Sequence, residues 1–411
     1  MQNHVLRNEI SQEVHARPFQ KMYPDTGVVH IAATCSPEER QELQQFLSEV
    51  LQEHFIPEPE DLSKFFYASG KSLAVRYEPH NEFYTITLYN LEERSTERLT
   101  PYWRNLPGSM LCGVEILFED QDAGLPNPKD YFSNMQVSGS LVMGGAARVW
   151  TDFFPAGEDG LVRVLVQNIS LLSFQAGRLI QRLCEIETYR HSALLALPDA
   201  KGVMPQLTEM DKQLAQITHE IASNSNSQGL LKELMQLAAK VEELSADTAN
   251  RFAASEAYFT VLDNRIAELR EERIEGLQTM AQFVERRLDP ARKTCCSANE
   301  RIERLSIRIA RTTELIRSQV DLSIEQQNQQ LLTGLNDRSR RQLRLQAKLE
   351  SFTIIVVTYY AFDLLERSIR NSVTVDSLRD DILWWVSVSV PLIAGVLWLY
   401  VRQLLKHYGE D

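Results

Sequence analysis

The chain has 411 residues and a mass of 47.1 kDa, with 43 basic against 56 acidic side chains and a net charge of −13. That length allows two or three domains, each able to bury a core. The acidic balance argues against broad nucleic-acid binding, which needs a basic face for phosphate, and five cysteines with no CxxC pair exclude a disulfide framework.

The first segment, Met1 to Gly27, is polar throughout and lacks the apolar core of a secretory signal. It contains Glu13-Val14-His15-Ala16-Arg17-Pro18-Phe19, where His15 and Arg17 stand beside Pro18, a residue with a fixed backbone. Apolar, β-rich runs follow at Val28–Ala33, Ser72–Tyr77, Phe83–Leu88, Met110–Phe118, Gln136–Met143, Ala147–Phe153 and Leu161–Val166, separated by Pro- and Gly-bearing turns. A helix is predicted over Pro37–His54, with Ser36 as N-cap, Pro37 at the first position and Glu39 completing a capping box. Another is expected after Glu58-Pro59-Glu60. The phrase Arg76-Tyr77-Glu78-Pro79-His80-Asn81-Glu82-Phe83, with His80 and Glu82, reads as a rigid polar contact or a hydrogen-bonded corner. Residues 1–170 are therefore expected to form an α/β cytoplasmic domain.

Helical patterns dominate from about Ser170. Segments 170–195 and 203–224 come first. Residues 228–289 then carry Leu234, Leu237, Val241 and Leu244, and later Phe259, Leu262, Ile266 and Leu269, the spacing of a bundle or coiled coil. Asp289-Pro290 is read as a break, so 171–290 is a helical bundle region and 291–350 a coiled-coil-like stalk helix.

Two apolar runs end the chain. Ile382 to Val401 has no charge over a length of roughly 30 Å, with Trp and Tyr near its ends, and reads as a transmembrane helix. Phe352 to Leu365 is shorter and contains Asp363. Five basic residues lie within 338–348, so the basic flank is expected to stay inside. Together these imply an α+β membrane protein with a transmembrane hairpin over 351–403, a cytoplasmic tail over 404–411, an inner-membrane location and both termini in the cytoplasm. On a 100° wheel Thr353, Tyr360 and Asp363 fall within about 80° of one another, which makes them candidate pore-lining residues. The alternative for Asp363 is an interfacial pair with Arg367.

Charge is uneven. Residues 1–290 hold 26 basic and 42 acidic side chains, whereas 291–350 hold 12 and 7. There is no GxGxxG, P-loop, HExxH or GxSxG. Gly144-Gly145 reads as a turn, Cys295-Cys296 as two small helix residues or a vicinal redox pair, and Glu119, Asp120 and Asp122 as an acidic loop or a hard-cation site. No enzyme constellation and no cofactor motif emerge.

The two phrases above, with Leu183 to Arg190 (LCEIETYR) and Thr358-Tyr359-Tyr360, resemble an uncharacterised family of bacterial membrane-anchored proteins, over nearly the whole chain. The layout is also similar to that of the CorA-type magnesium transporters. That resemblance implies a homo-oligomer, pentameric in that family, with the first membrane helix lining the pore and a divalent cation as cargo. The Gly-Met-Asn signature of those transporters is absent, and the corresponding region reads Tyr359-Tyr360-Ala361-Phe362-Asp363. The expectation is an oligomeric membrane protein that passes or senses a cation. The alternative is a non-conducting, membrane-anchored scaffold whose cytoplasmic domain binds a protein partner.

Overall fold

The computed structural model describes residues 4, 6–7, 19–122, 131–132, 136–156, 159–223, 227–372 and 376–407. The chain divides into two compact units, Met1–Thr313 and Glu314–Asp411.

The first unit is α+β. Its strands are β1 (Thr26–Thr34), β2 (Phe66–Ser69), β3 (Leu73–Pro79), β4 (Tyr84–Asn90), β5 (Ser109–Asp120), β6 (Ser138–Val142), β7 (Ala147–Ala156), β8 (Leu161–Asn168) and β9 (Glu272–Arg273). They form one sheet in the order β2-β3-β4-β1-β5-β8-β7-β6-β9. Every neighbouring pair is antiparallel except β5 with β8. Hence the N-terminal region is an antiparallel α+β layer, not the α/β arrangement expected from its alternating runs. Hairpins and a meander join half of the neighbouring pairs, and such connections cannot make the parallel ladders of α/β folds.

Both faces of the sheet are covered, which is why β1 is buried on both sides. On one face, helix α1 (Pro37–Glu53) lays Leu43, Leu47, Val50 and Leu51 on Val29, Ile31, Ile86 and Leu88, and Trp103 of the short α2 (Thr100–Arg104) joins them. Helix α1 begins as its sequence requires: Glu39 N–H donates to Ser36 Oγ at 3.2 Å, and Ser36 N–H donates to Glu39 Oε2 at 2.7 Å. On the other face lie α3 (Ser173–Leu194) and α5 (Ser227–Leu269), with α4 (Leu197–Ala222) between them in sequence. Leu179, Ile180 and Leu183 of α3 and Phe259 and Leu262 of α5 meet Val114, Ile116 and Phe118 of β5. The start of α6 (Met280–Ser372) adds Val284 and Leu288 to that core.

Local details depart from the sequence pattern. No helix follows Glu58-Pro59-Glu60; turns lead into β2 instead. Pro290 does not end a helix, because α6 runs through it from Met280. The interruption lies earlier, between Leu269 and Met280, around β9 and Gly276 at φ 81°.

The second unit contains the rest of α6 and α7 (Asp376–His407). The transmembrane hairpin is overturned here: among the described residues no helix is long and apolar enough to cross a membrane. In α6 the apolar run is broken by Asp363, which pairs with Arg367 at 3.1 Å, and is closed by Glu366. In α7 the apolar stretch includes Ser387, Ser389, Pro391 and Gly395. The inner-membrane location with both termini inside and the CorA-like layout fall with the spans.

Candidate functional site

The sheet face under α3 is not wholly apolar. On β1, β3 and β4 the cross-strand row Arg76–Thr87–His30 is polar, and Glu78–Thr85 lies one row along. The opposite faces of the same strands carry Val75, Tyr77, Ile86, Leu88, Val29 and Ile31 in the α1 core. A polar row in a buried layer must be satisfied by partners. His30 is held between two threonines: Nδ1 lies 2.8 Å from Thr87 Oγ1, and Nε2 lies 2.8 Å from Thr188 Oγ1 of α3. Burial, followed by the nearby charges of Arg76 and His80, pushes its pKa down to about 3. The imidazole is therefore neutral at physiological pH.

Arg76, also buried, donates to Gln181 Oε1 at 2.7 Å and to Glu78 Oε2 at 3.2 Å, with its guanidinium over Phe65. Gln181 donates onward to Glu185 Oε1 at 2.7 Å, and Glu185 also takes Arg265 of α5. Arg265 and Arg182 both bind Glu268. A chain of hydrogen bonds and ion pairs thus ties β3 to α3 and α5. His80 stacks on Phe83 with ring centroids 4.5 Å apart, and Glu82 accepts from Arg251 and from the Tyr258 hydroxyl, both of α5. Burial, then the Glu82 carboxylate, pushes the Tyr258 phenol up to about 12. Arg76, Glu78, His80, Cys184, Glu185, Thr188 and Tyr189 line a cavity of about 30 Å³. That is room for a water molecule, not for a substrate. Burial also raises the thiol pKa values of Cys112 and Cys184, so both stay protonated and weakly nucleophilic.

A larger cleft lies on the α1 side. Ile31, Ala33, Trp103, Arg104, Leu106, Met110 and Asp159 line about 270 Å³. Gly108, at φ 102°, brings the loop before β5 against the end of β1; a Cβ there would sit 2.3 Å from the Thr34 carbonyl oxygen. Met110 stays 47% exposed at the mouth, Arg104 stacks over Trp103, and Arg104 pairs with Asp159 on the rim.

The sequence-predicted residues scatter. His80 does come together with the Leu183–Arg190 phrase of α3 at the polar row, whereas Glu82 takes Arg251 and Tyr258 of α5. His15, Arg17 and Pro18 lie outside the described residues. Thr353, Tyr360 and Asp363 belong to α6 in the second unit: Thr353 donates to the Leu349 carbonyl, Tyr360 packs edge-on against Tyr359, and Asp363 takes Arg367. Glu119 pairs with Arg94 at 2.8 Å, and among the described residues no group of three His, Cys, Asp or Glu can hold a metal ion. Cys295 is buried and Cys296 exposed, beside Phe252 and Phe259. The only sequence signal for His30 is a lone imidazole inside the run Val28–Ala33, and the Trp103 cleft has none.

A family model described as "Protein of unknown function (DUF3422)" matches residues 2–408. None of the curated proteins matches the chain. An uncharacterised family over nearly the whole chain is thereby borne out, without the transporter layout.

Proposed function

The chain belongs to this family, and we propose that it is a non-catalytic protein whose α+β body binds a protein partner through the cleft beside Trp103. The observation that carries this reading is the cleft itself. It is open, walled by Ile31, Leu106, Trp103 and Met110, and edged by one ion pair. At about 270 Å³ it falls just below the usual 300–1,000 Å³ of small-molecule sites and suits an apolar side chain offered by a partner. Tryptophan and arginine at a cleft rim are the residue types that anchor protein interfaces.

The groups that could support catalysis elsewhere are chemically quiet. His30 has both ring nitrogens engaged and stays neutral, and the Cys112 and Cys184 thiols are held protonated. A photo-reactive amino acid in place of Met110 should capture one recurrent protein in cells. Trp103→Ala should weaken that partner's binding about tenfold or more, the usual scale for a truncated anchor. Capture no more selective than from an exposed position outside the cleft, such as Phe55, would sink the proposal.

A further inference from the structure

We propose that the stretch of α6 from Ile324 to Phe352 is a self-association seam that packs in parallel register against the same stretch of a second copy of this chain. The buried face of α6 ends at Ile316. From Asp321 to Gln346 every side chain is exposed. An isolated helix gains little from propensity alone, and helices in proteins owe their stability to a packed face. Large apolar side chains are nevertheless present along this stretch, with Leu335 60% and Leu345 62% exposed.

Their spacing is not random. Ile324, Leu331, Leu335, Leu345, Leu349 and Phe352 fall on alternating steps of three and four, the core positions of a heptad repeat. Such a seam is complementary to a like seam, and a two-fold contact pairs a patch with itself. The remaining seam positions are Asn328, Arg338 and Gln342. Asn328 and Gln342 share one heptad position, and each amide both donates and accepts, so each can pair with its own copy in a parallel dimer. The stem of Arg338 can cover the seam while its guanidinium reaches water.

Sedimentation of the full chain over a concentration series tests this, with far-UV circular dichroism to check folding. Wild type should self-associate. The pair Leu335→Asp and Leu345→Asp should raise the dissociation constant by about a hundredfold or more, because two charges would enter the seam. The pair Leu322→Asp and Leu343→Asp lies off the seam at 63% and 62% exposure, and should leave association unchanged. With Cys296→Ser removing the exposed native thiol, Leu335→Cys should form a disulfide-linked dimer under mild oxidation. A monomeric wild type, equal loss in both Asp pairs, or failure of Leu335→Cys to link would each overturn the seam.

Discussion

A neutral histidine in a sheet core leaves a mark on stability. The unfolded chain takes up a proton on the His30 imidazole near pH 6.5, and the folded chain only near pH 3. Between those values the unfolded state holds more protons, so stability rises with pH in that window. Above about pH 6.5 the contribution of this group is complete. Below it, acid removes stability with a limiting slope of about 1.4 kcal/mol per pH unit. His30→Gln keeps a donor and an acceptor between Thr87 and Thr188 but cannot titrate. At pH 7 the variant should be less stable than wild type by about 1–3 kcal/mol, the cost of imperfect buried hydrogen bonds. At pH 5 that gap should narrow by about 2 kcal/mol, since only wild type loses the histidine contribution. Urea unfolding at both pH values measures it. A gap of constant size would show that the imidazole is not held neutral by the fold.

At the scale of elements, the N-terminus of α3 is set by a glycine. Gly177 lies so close to the segment before β1 that an added Cβ would sit 1.7 Å from the Gln20 carbonyl oxygen. Met22 N–H donates to the Ser173 carbonyl at 2.9 Å, Arg178 stacks over Phe19, and Lys21 over Phe174. Gly177→Ala would ordinarily favour a helix by about 1 kcal/mol. Here the backbone must separate, so the variant should lose more than about 2 kcal/mol in thermal unfolding. A neutral or stabilising result would refute the close approach. Elements of this kind differ in how far the sequence reveals them. The Ser36–Glu39 box and the β-branched runs of β1, β4 and β8 are local signals, and they place α1 and those strands within a residue or two. Short β2 and β9 have no pattern of their own and exist because β3 and β6 offer ladders to them. Pro290 misleads because flanking turns sustain α6 despite the missing N–H. The convergence of Arg76–Phe83 with Leu183–Arg190 was half legible. The first stood out as a polar corner and the second only through the family resemblance, and the packing of α3 on the sheet is what brings Arg76 to Gln181.

For the whole molecule, the division into units makes a claim about cooperativity. Fully buried side chains of the described chain occur up to Ile316 and not beyond it, and the clusters that hold the sheet draw on nothing after Leu288. A domain with its own core can fold by itself. A fragment ending at Val320 keeps Ile316 and removes no side chain known to be buried. It should therefore unfold in one cooperative transition and keep the near-UV signal of Trp103 and Trp150. Its Tm should lie within about 4 °C of the main transition of the full chain, the shift that about 1 kcal/mol produces in a body of this size. The fragment lacks the Ile324–Phe352 seam, so it should also sediment as a monomer at concentrations where the full chain associates. The two outcomes separate cleanly. A folded fragment that still associates moves the self-contact into the body, whereas a molten or aggregated fragment shows that the second unit contributes to the core of the first.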